Sequence, residues 1–149
     1  RTGARAGRPT RLPAAPGGYL NKFEQRVDSV KYNLNRMGVK YKMVVFLSIG
    51  INDYHAGTSP ASYYTKMVTH ITNLRARTHT TTPIVMTKFF APYNIYNNAL
   101  DSVVNFSGLD SVYTVADTTA SRLDAYHWDY SGMKIKTNQF IAKVKQIYP

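Results

Sequence analysis

Met43-Val44-Val45-Phe46-Leu47-Ser48-Ile49 leads directly into Gly50-Ile51-Asn52-Asp53, and this stretch decides the fold. The first seven residues are apolar apart from Ser48 and are rich in β-branched and aromatic side chains. Such a run predicts a strand that is buried on both faces within a parallel sheet. Gly50 permits a sharp turn with a backbone angle that other residues avoid. The segment 50–57 is predicted to be a polar loop at the carboxyl end of this strand.

Predicted helices and strands alternate on either side of this stretch. The expected order is a helix over about 20–37 ended by Gly38, the strand 43–49, a helix opened by Ser59-Pro60, a strand over 83–87, a helix over 94–104, a strand over 112–115 and a last helix capped by Ser131. This alternation is typical of an α/β fold in which helices cover both faces of a parallel sheet. We therefore expect a three-layer sandwich with a flavodoxin-like sheet.

Two of the helices show clear apolar periodicity. The inward positions expected in the first helix are Leu20, Phe23, Val27, Val30 and Leu34. Those expected in the last helix are Met133, Ile135, Phe140, Ile141, Val144 and Ile147. Both helices should pack these stripes against the sheet or a neighbouring helix.

The loops at the carboxyl ends of the strands are where such sheets bind ligands. Asn52 lies in the first of these loops, and its side-chain amide is a suitable hydrogen-bond donor to an oxyanion. The alternative is an Asx turn, which Asn-Asp pairs form routinely. Four aromatic residues follow the strand 83–87 and are expected to wall the same crevice, namely Phe89, Phe90, Tyr93 and Tyr96.

Asp124-Ala125-Tyr126-His127 forms the second polar constellation, shortly before the last helix. An Asp three residues before a His can hold the imidazole in one tautomer and stabilise its charged form. The His can then act as a general base toward a nucleophile. The alternative is a surface turn that carries an ordinary histidine.

Taken together, the two constellations resemble the SGNH hydrolases, also known as GDSL-like lipases and acylhydrolases. Gly50-Ile51-Asn52-Asp53 resembles the family's GxND block, and Asp124-Ala125-Tyr126-His127 resembles its DxxH block. Ser131-Gly132 fits the stretch before the family's last helix, and Gly17-Gly18 could be a remnant of its second block. The resemblance extends over about 18–148.

The resemblance implies a role for each matching residue. Asn52 would lie in the oxyanion hole, His127 would be the base, and Asp124 would orient it. Gly50 and Gly18 would support the oxyanion loops. Where the family often has Pro after the His, this sequence has Trp128, which would then line the substrate site.

The family's nucleophile block, Gly-Asp-Ser after a first strand, has no counterpart in this sequence. Asp28-Ser29, Asp101-Ser102 and Asp110-Ser111 lack the Gly and do not follow a first strand. The sheet is therefore expected to lack its first strand. The serine would come from an upstream segment or a second chain, or the fold would be without hydrolase activity. Ser48 is the serine nearest to Asn52 along the sequence, but it is expected to face the core.

The N-terminal 18 residues differ in composition from the rest. The chain has 149 residues and a net charge of +11, and Arg1, Arg5, Arg8 and Arg11 precede the first acidic residue, Glu24. Residues 1–18 are rich in Arg, Gly, Pro and Ala, so they are interpreted as an arm or linker, and 19–149 as one α/β domain. The arm could bind nucleic acid or an anionic surface, or simply be a linker. Nucleic acid is not expected as the main partner, because no RNA-recognition pattern is present.

Composition also excludes several kinds of site. The sequence contains no cysteine, which removes disulfides, Cys-ligated zinc and thiol catalysis. His55, His70 and His79 match no zinc spacing, so neither a metal nor a cofactor is expected. His70 and the helical lysines are expected to be solvated. No run of 18 apolar residues predicts a membrane span, and a secreted or particle-associated location is favoured over a membrane one.

The resemblance thus implies an esterase, a carbohydrate O-deacetylase or a lipase-like acylhydrolase. Its substrate would be an ester or an acetylated carbohydrate. The alternative is a non-catalytic binding or structural module of a larger assembly that keeps the hydrolase fold. The absence of Gly-Asp-Ser favours this alternative, whereas the presence of Asn52, Asp124 and His127 together favours the enzyme.

Overall fold

A computed structural model describes residues 19–117, 122–124 and 127–149. The predicted arm, 1–18, lies outside these residues. The described elements follow one another in the order helix α1 (Tyr19–Arg36), strand β1 (Val45–Leu47), helix α2 (Ile51–His55), helix α3 (Pro60–Arg77), strand β2 (Ile84–Thr87), a 3-10 helix (Tyr93–Tyr96), helix α4 (Asn97–Phe106), strand β3 (Val112–Val115) and helix α5 (Tyr130–Ile147).

The three strands form one parallel sheet in the order β1-β2-β3. Val45 pairs with Ile84, and Ile84 pairs in turn with Val112, so the strands begin level with one another. Because all three run the same way, their carboxyl ends lie at the same end of the sheet, which we call the carboxyl edge. The predicted α/β class with a parallel sheet is confirmed.

Helices contact both faces of the sheet. Val45 and Leu47 point into the main core, which α3 fills with Met67 and Ile71. Side chains alternate along a strand, so Phe46 points to the other face. There its ring lies 4.3 Å from that of Phe140 of α5, measured between centroids.

Strand β1 is shorter than predicted. The expected strand 43–49 is reduced to Val45–Leu47, whereas the strand predicted over 112–115 is found at Val112–Val115. Among the described residues β1 pairs with β2 alone and forms one edge of the sheet. Among the described residues, β1 therefore has a neighbouring strand on one side only. An apolar run of this kind is typical of a strand with neighbours on both sides.

The start of α5 differs from the prediction. Asp129, not Ser131, caps the helix, and its carboxylate accepts a 2.8 Å hydrogen bond from the amide of Gly132. Asp129 has an extended backbone, which lets its side chain turn back over the first turn. Ser131 lies inside that turn and is exposed.

The apolar stripe of α5 is only partly covered. Met133 is 51% exposed and Ile141 is 49% exposed, although both were expected to face inward. Ile135 is exposed as well, whereas Phe140 is half-buried against the sheet. At about 100° per residue, Ile135 lies about 140° around the helix from Phe140 and therefore faces away from the sheet.

Helix α1 packs against α3 near the edge of the fold. Val27 is buried, but Val30 is half-exposed, contrary to the prediction. The Lys31 ammonium donates to the carbonyl of Arg77 at the end of α3, which holds the two helices side by side. Gly38, with φ 65°, follows the helix end, as the sequence predicted.

Two kinds of feature are absent from the described part of the chain. None of its helices combines the length and the apolar character needed to cross a membrane. No group of three or more His, Cys, Asp or Glu side chains there is arranged to hold a metal ion.

Candidate active site

Gly50 occupies a position that no other residue fits. It follows β1 with φ 148°, in the region of positive φ that favours glycine. A Cβ atom added here would lie 2.6 Å from Cζ of Phe89 and 3.0 Å from Oη of Tyr63. The predicted unusual backbone angle is present, and close packing adds a second reason for glycine.

Tyr63 of α3 supports the turn from below. Its hydroxyl donates a 2.6 Å hydrogen bond to the carbonyl of Ile49, and its side chain is buried. Burial raises the pKa of Tyr63, and the nearby Asp53 and Tyr96 act in the same direction. The hydroxyl therefore stays protonated and keeps donating to the turn.

Asn52 lies in the first turn of α2 and not in a loop. The segment 50–57 was predicted to be irregular, but the amide of Tyr54 donates to the carbonyl of Gly50 and that of Ala56 to Asn52, as in a helix. The Asn52 side chain is exposed at the carboxyl edge of the sheet. No hydrogen bond joins this side chain to another described residue. Asn52 therefore does not form the Asx turn that was the alternative.

Asp53 has a structural role beside it. Its carboxylate pairs with the Lys66 ammonium at 2.8 Å, and Lys66 also donates to the hydroxyl of Thr58. This ion pair ties α2 to α3. The short helix that presents Asn52 is thereby held at its start, by the packing around Gly50, and at its middle residue, Asp53.

Asp124 and His127 form the pair that the sequence predicted. One carboxylate oxygen of Asp124 accepts from the backbone amide of His127 at 2.7 Å, and the other lies 2.8 Å from its ring Nδ1. The His127 side chain is 72% exposed and that of Asp124 is 47% exposed. The intervening Ala125 and Tyr126 lie outside the described residues. A carboxylate that holds both the backbone and the ring fixes the imidazole orientation.

A small hairpin carries this pair. Arg122 and Trp128 form an antiparallel bridge, and the amide of Leu123 donates a 2.8 Å hydrogen bond to the carbonyl of His127. We call residues 122–124 and 127–128 the His127 hairpin. Trp128, expected to line the substrate site, is half-buried with the ammonium of Lys136 5.1 Å from its ring centroid.

Aromatic contacts connect the His127 hairpin with α2. The guanidinium of Arg122 lies 3.7 Å from the centroid of the Phe90 ring. Phe90 packs edge-on against Tyr93, with centroids 5.3 Å apart. Tyr93 packs in turn against Tyr54 of α2 at 5.0 Å. The two constellations that the sequence singled out are therefore linked at the carboxyl edge of the sheet.

The aromatic residues after β2 are mostly core residues. Phe89, Tyr93 and Tyr96 are buried, whereas they were expected to wall an open crevice. The side chain of Asn97 is the reason, because it accepts from the amide of Phe89 at 2.8 Å and donates to its carbonyl at 2.9 Å. These bonds fold the segment back onto the sheet. Of the four predicted residues, Phe90 alone is only partly buried.

The histidines that the metal hypothesis considered are separated in the fold. His70 is buried, contrary to the prediction, because it shares the inward face of α3 with Met67 and Ile71. His55 is exposed at the end of α2, with its ring against Tyr93. His79 lies before β2, at the amino ends of the strands.

Ser48 is exposed, whereas it was expected to face the core. It shares the face of Phe46, which α5 covers with Phe140 but does not cover further along the strand. Gly18, the other predicted support of the oxyanion loops, lies outside the described residues.

Comparisons with known proteins add no constraint to this geometry. No protein-family model, no curated protein and no solved structure matches the chain. The functional assignment therefore depends on the contacts within the candidate site.

Sequence reasoning missed two residues of this region, Arg122 and Lys136. Nothing in the local sequence distinguishes them from the other basic residues of the chain. Their contacts, with Phe90 and Trp128, depend on how distant segments meet. Aromatic partners of this kind can be found only from the folded chain.

Proposed function

We propose that this chain supplies the base and an oxyanion donor of an SGNH-type serine ester hydrolase. One observation carries the proposal. Asp124 holds both the amide and the Nδ1 of His127, at the edge of a parallel sheet that also presents Asn52. This arrangement suits acyl transfer, because it provides a fixed imidazole and an amide donor at the end of the sheet where ligands bind.

The residues would act in sequence during ester hydrolysis. A serine Oγ attacks the ester carbonyl carbon while Nε2 of His127 takes its proton. Asn52 donates to the oxyanion of the tetrahedral intermediate. Collapse of the intermediate expels the alcohol, which receives the proton from His127. Water then releases the acyl group from the serine, again with His127 as the base.

We place the nucleophile on a strand next to β1. Among the described residues β1 is an edge, yet its sequence is that of a strand buried on both faces. Met133 and Ile141 of α5 are also left half-exposed. A further strand from an upstream segment or a second chain would pair with β1, cover these residues and complete a flavodoxin-like three-layer sandwich. A serine at its carboxyl end would emerge at the edge that carries Asn52.

The substrate class follows from the reaction and from the surroundings of α2. An ester of a carbohydrate or lipid alcohol fits the proposed chemistry. Phe90 and Tyr54 are partly buried aromatic residues near Asn52 and offer apolar contact to an acyl chain or a sugar ring.

A non-catalytic module is the second candidate. The observation that favours it is the absence of Gly-Asp-Ser from the sequence. In such a module the edge of β1 would serve assembly alone, and Asp124 would serve only to close the His127 hairpin.

Hydrolysis of p-nitrophenyl acetate, measured on the protein isolated with any co-purifying chain, tests the enzyme. We expect His127→Ala to lower kcat/KM by at least about 100-fold, the usual contribution of a general base. We expect Asn52→Ala to lower kcat by about 100- to 1000-fold. The control is His79→Ala, an exposed histidine at the opposite edge of the sheet, which should leave turnover unchanged. Equal activity of His127→Ala and His79→Ala would exclude His127 as the base.

A further inference from the structure

Lys136 is buried in a helix whose other lysines are not. Its side chain is 1% exposed, whereas Lys134 and Lys145 on the same helix are exposed. Lysines are almost never fully buried unless they are paired. The sequence predicted solvated lysines, so this position requires a specific explanation.

The Lys136 ammonium contacts residues that lie on both sides of the Asp124–His127 pair in the sequence. It donates to the carbonyl of Ala116 at 3.3 Å and lies 3.5 Å from the carboxylate of Asp117, directly after β3. It also lies 5.1 Å from the ring centroid of Trp128, the residue after His127. Asp124 and His127 lie between these two contacts in the sequence.

The described residues around the Asp124–His127 pair lie at the surface. Arg122, Leu123 and Asp124 are exposed, as is His127. The bonds within the His127 hairpin close it, and its contacts with the rest of the domain set its place and limit its opening. Arg122 over Phe90 is a surface contact that fixes one side. Lys136 is buried and contacts Asp117 and Trp128, which precede and follow the Asp124–His127 pair in the sequence.

The groups around Lys136 offset the cost of burying its ammonium. Burial lowers the pKa of the Lys136 ammonium, and the neighbouring Asp117 acts in the opposite direction. Carboxylate, carbonyl and aromatic face together replace the water that the ammonium loses.

We propose that Lys136 is a positioning residue for His127, holding Ala116, Asp117 and Trp128 so that the Asp124–His127 pair stands at the carboxyl edge of the sheet. This inference rests on the proposed function for its catalytic meaning. Its structural part, the tethering of the hairpin, stands or falls independently. Lys136 touches neither the substrate nor the reacting atoms in this account.

Hydrogen exchange of the hairpin amides tests the tether without any need for activity. Lys136→Met keeps the length of the side chain and removes the ammonium. We expect the amides of Leu123 and His127 to exchange at least about tenfold faster in this variant, with the β2 amides unchanged. Lys134→Met, at an exposed position of the same helix, should leave all these rates unchanged. Unchanged rates for Leu123 and His127 in a folded Lys136→Met protein would overturn the inference.

Kinetics separate positioning from simple support of the fold. We expect Lys136→Met to lower kcat while KM changes little, and Lys136→Arg to recover part of kcat. If Lys136→Met does not fold, Asp117→Asn removes one partner with little change of shape, and the same acceleration of exchange is expected. Unchanged exchange in Asp117→Asn would then count against the tether.

The outcomes distinguish the two proposals. Faster hairpin exchange in a protein without esterase activity would keep the tether and reject the proposed function. An active enzyme whose hairpin exchange and kcat are both insensitive to Lys136→Met would keep the function and reject the tether.

Discussion

Gly50 is fixed by its neighbours as well as by its backbone angle. The ring of Phe89 and the hydroxyl of Tyr63 occupy the space that a Cβ atom would need. The φ of 148° adds a conformational cost for any other residue. The turn that leads from β1 into the Asn52 helix is therefore a tightly packed feature of the core.

Gly50→Ala should destabilise the fold by at least about 2 kcal/mol, because backbone strain of about 1–3 kcal/mol adds to a steric clash. Urea denaturation followed by circular dichroism measures this. The matched control is Gly57→Ala, which has a positive φ of 70° but no atom within 4 Å of the added Cβ. It should cost about 1 kcal/mol. Equal losses for the two variants would show that packing around Gly50 contributes nothing.

Residues differ in how far the sequence reveals them. The Asp124–His127 contact could be predicted, since a separation of three residues lets one carboxylate reach both an amide and a ring. Burial of Lys136 and His70 could not. Each depends on which helix face meets the sheet and on partners from distant segments.

At the scale of elements, α3 supports the candidate site through Tyr63. The hydroxyl of Tyr63 donates to the last carbonyl before Gly50, and its ring stacks on Tyr96 at 4.2 Å between centroids. The raised pKa of Tyr63 links this support to pH. In the unfolded chain a tyrosine ionises near pH 10, but in the fold Tyr63 stays neutral.

The stability that Tyr63 contributes should therefore be fully present below about pH 10 and lost as the pH rises above it, because only the unfolded chain then releases the proton. In Tyr63→Phe, the free energy of unfolding should fall less steeply between pH 10 and 11. One such group changes the slope by at most about 1.4 kcal/mol per pH unit. Tyr32→Phe removes an exposed hydroxyl and is the control. An identical slope in the wild type and Tyr63→Phe would contradict this account.

Local signals predicted the elements better than they predicted their surroundings. Ser59 and Pro60 mark the start of α3, where the Ser59 hydroxyl accepts from the amide of Ser62. By contrast, α2 was missed because five residues are too few for a periodic pattern. The exposure of Met133 and Ile141 depends on which part of α5 the sheet covers, which no local pattern encodes.

The described residues form a narrow parallel sheet of three strands, with the candidate site at the carboxyl ends of the strands. The order of elements was enough to predict parallel strands, since alternating helices and strands cross over in the same direction. The sequence could not show that β1 is an edge strand among the described residues, because strand pairing depends on distant segments. In the proposed function, the nucleophile lies on a further strand beside β1.

Labelling with a serine-reactive fluorophosphonate, read by intact mass and peptide mapping, is the first test of the proposed serine ester hydrolase. The sample is the protein as isolated, with any co-purifying chain retained. We expect label on a serine of an upstream segment or second chain, and loss of that label in His127→Ala. Label on Ser48 would contradict the placement of the nucleophile beside β1. No label in a folded sample would contradict the hydrolase itself and favour the non-catalytic module.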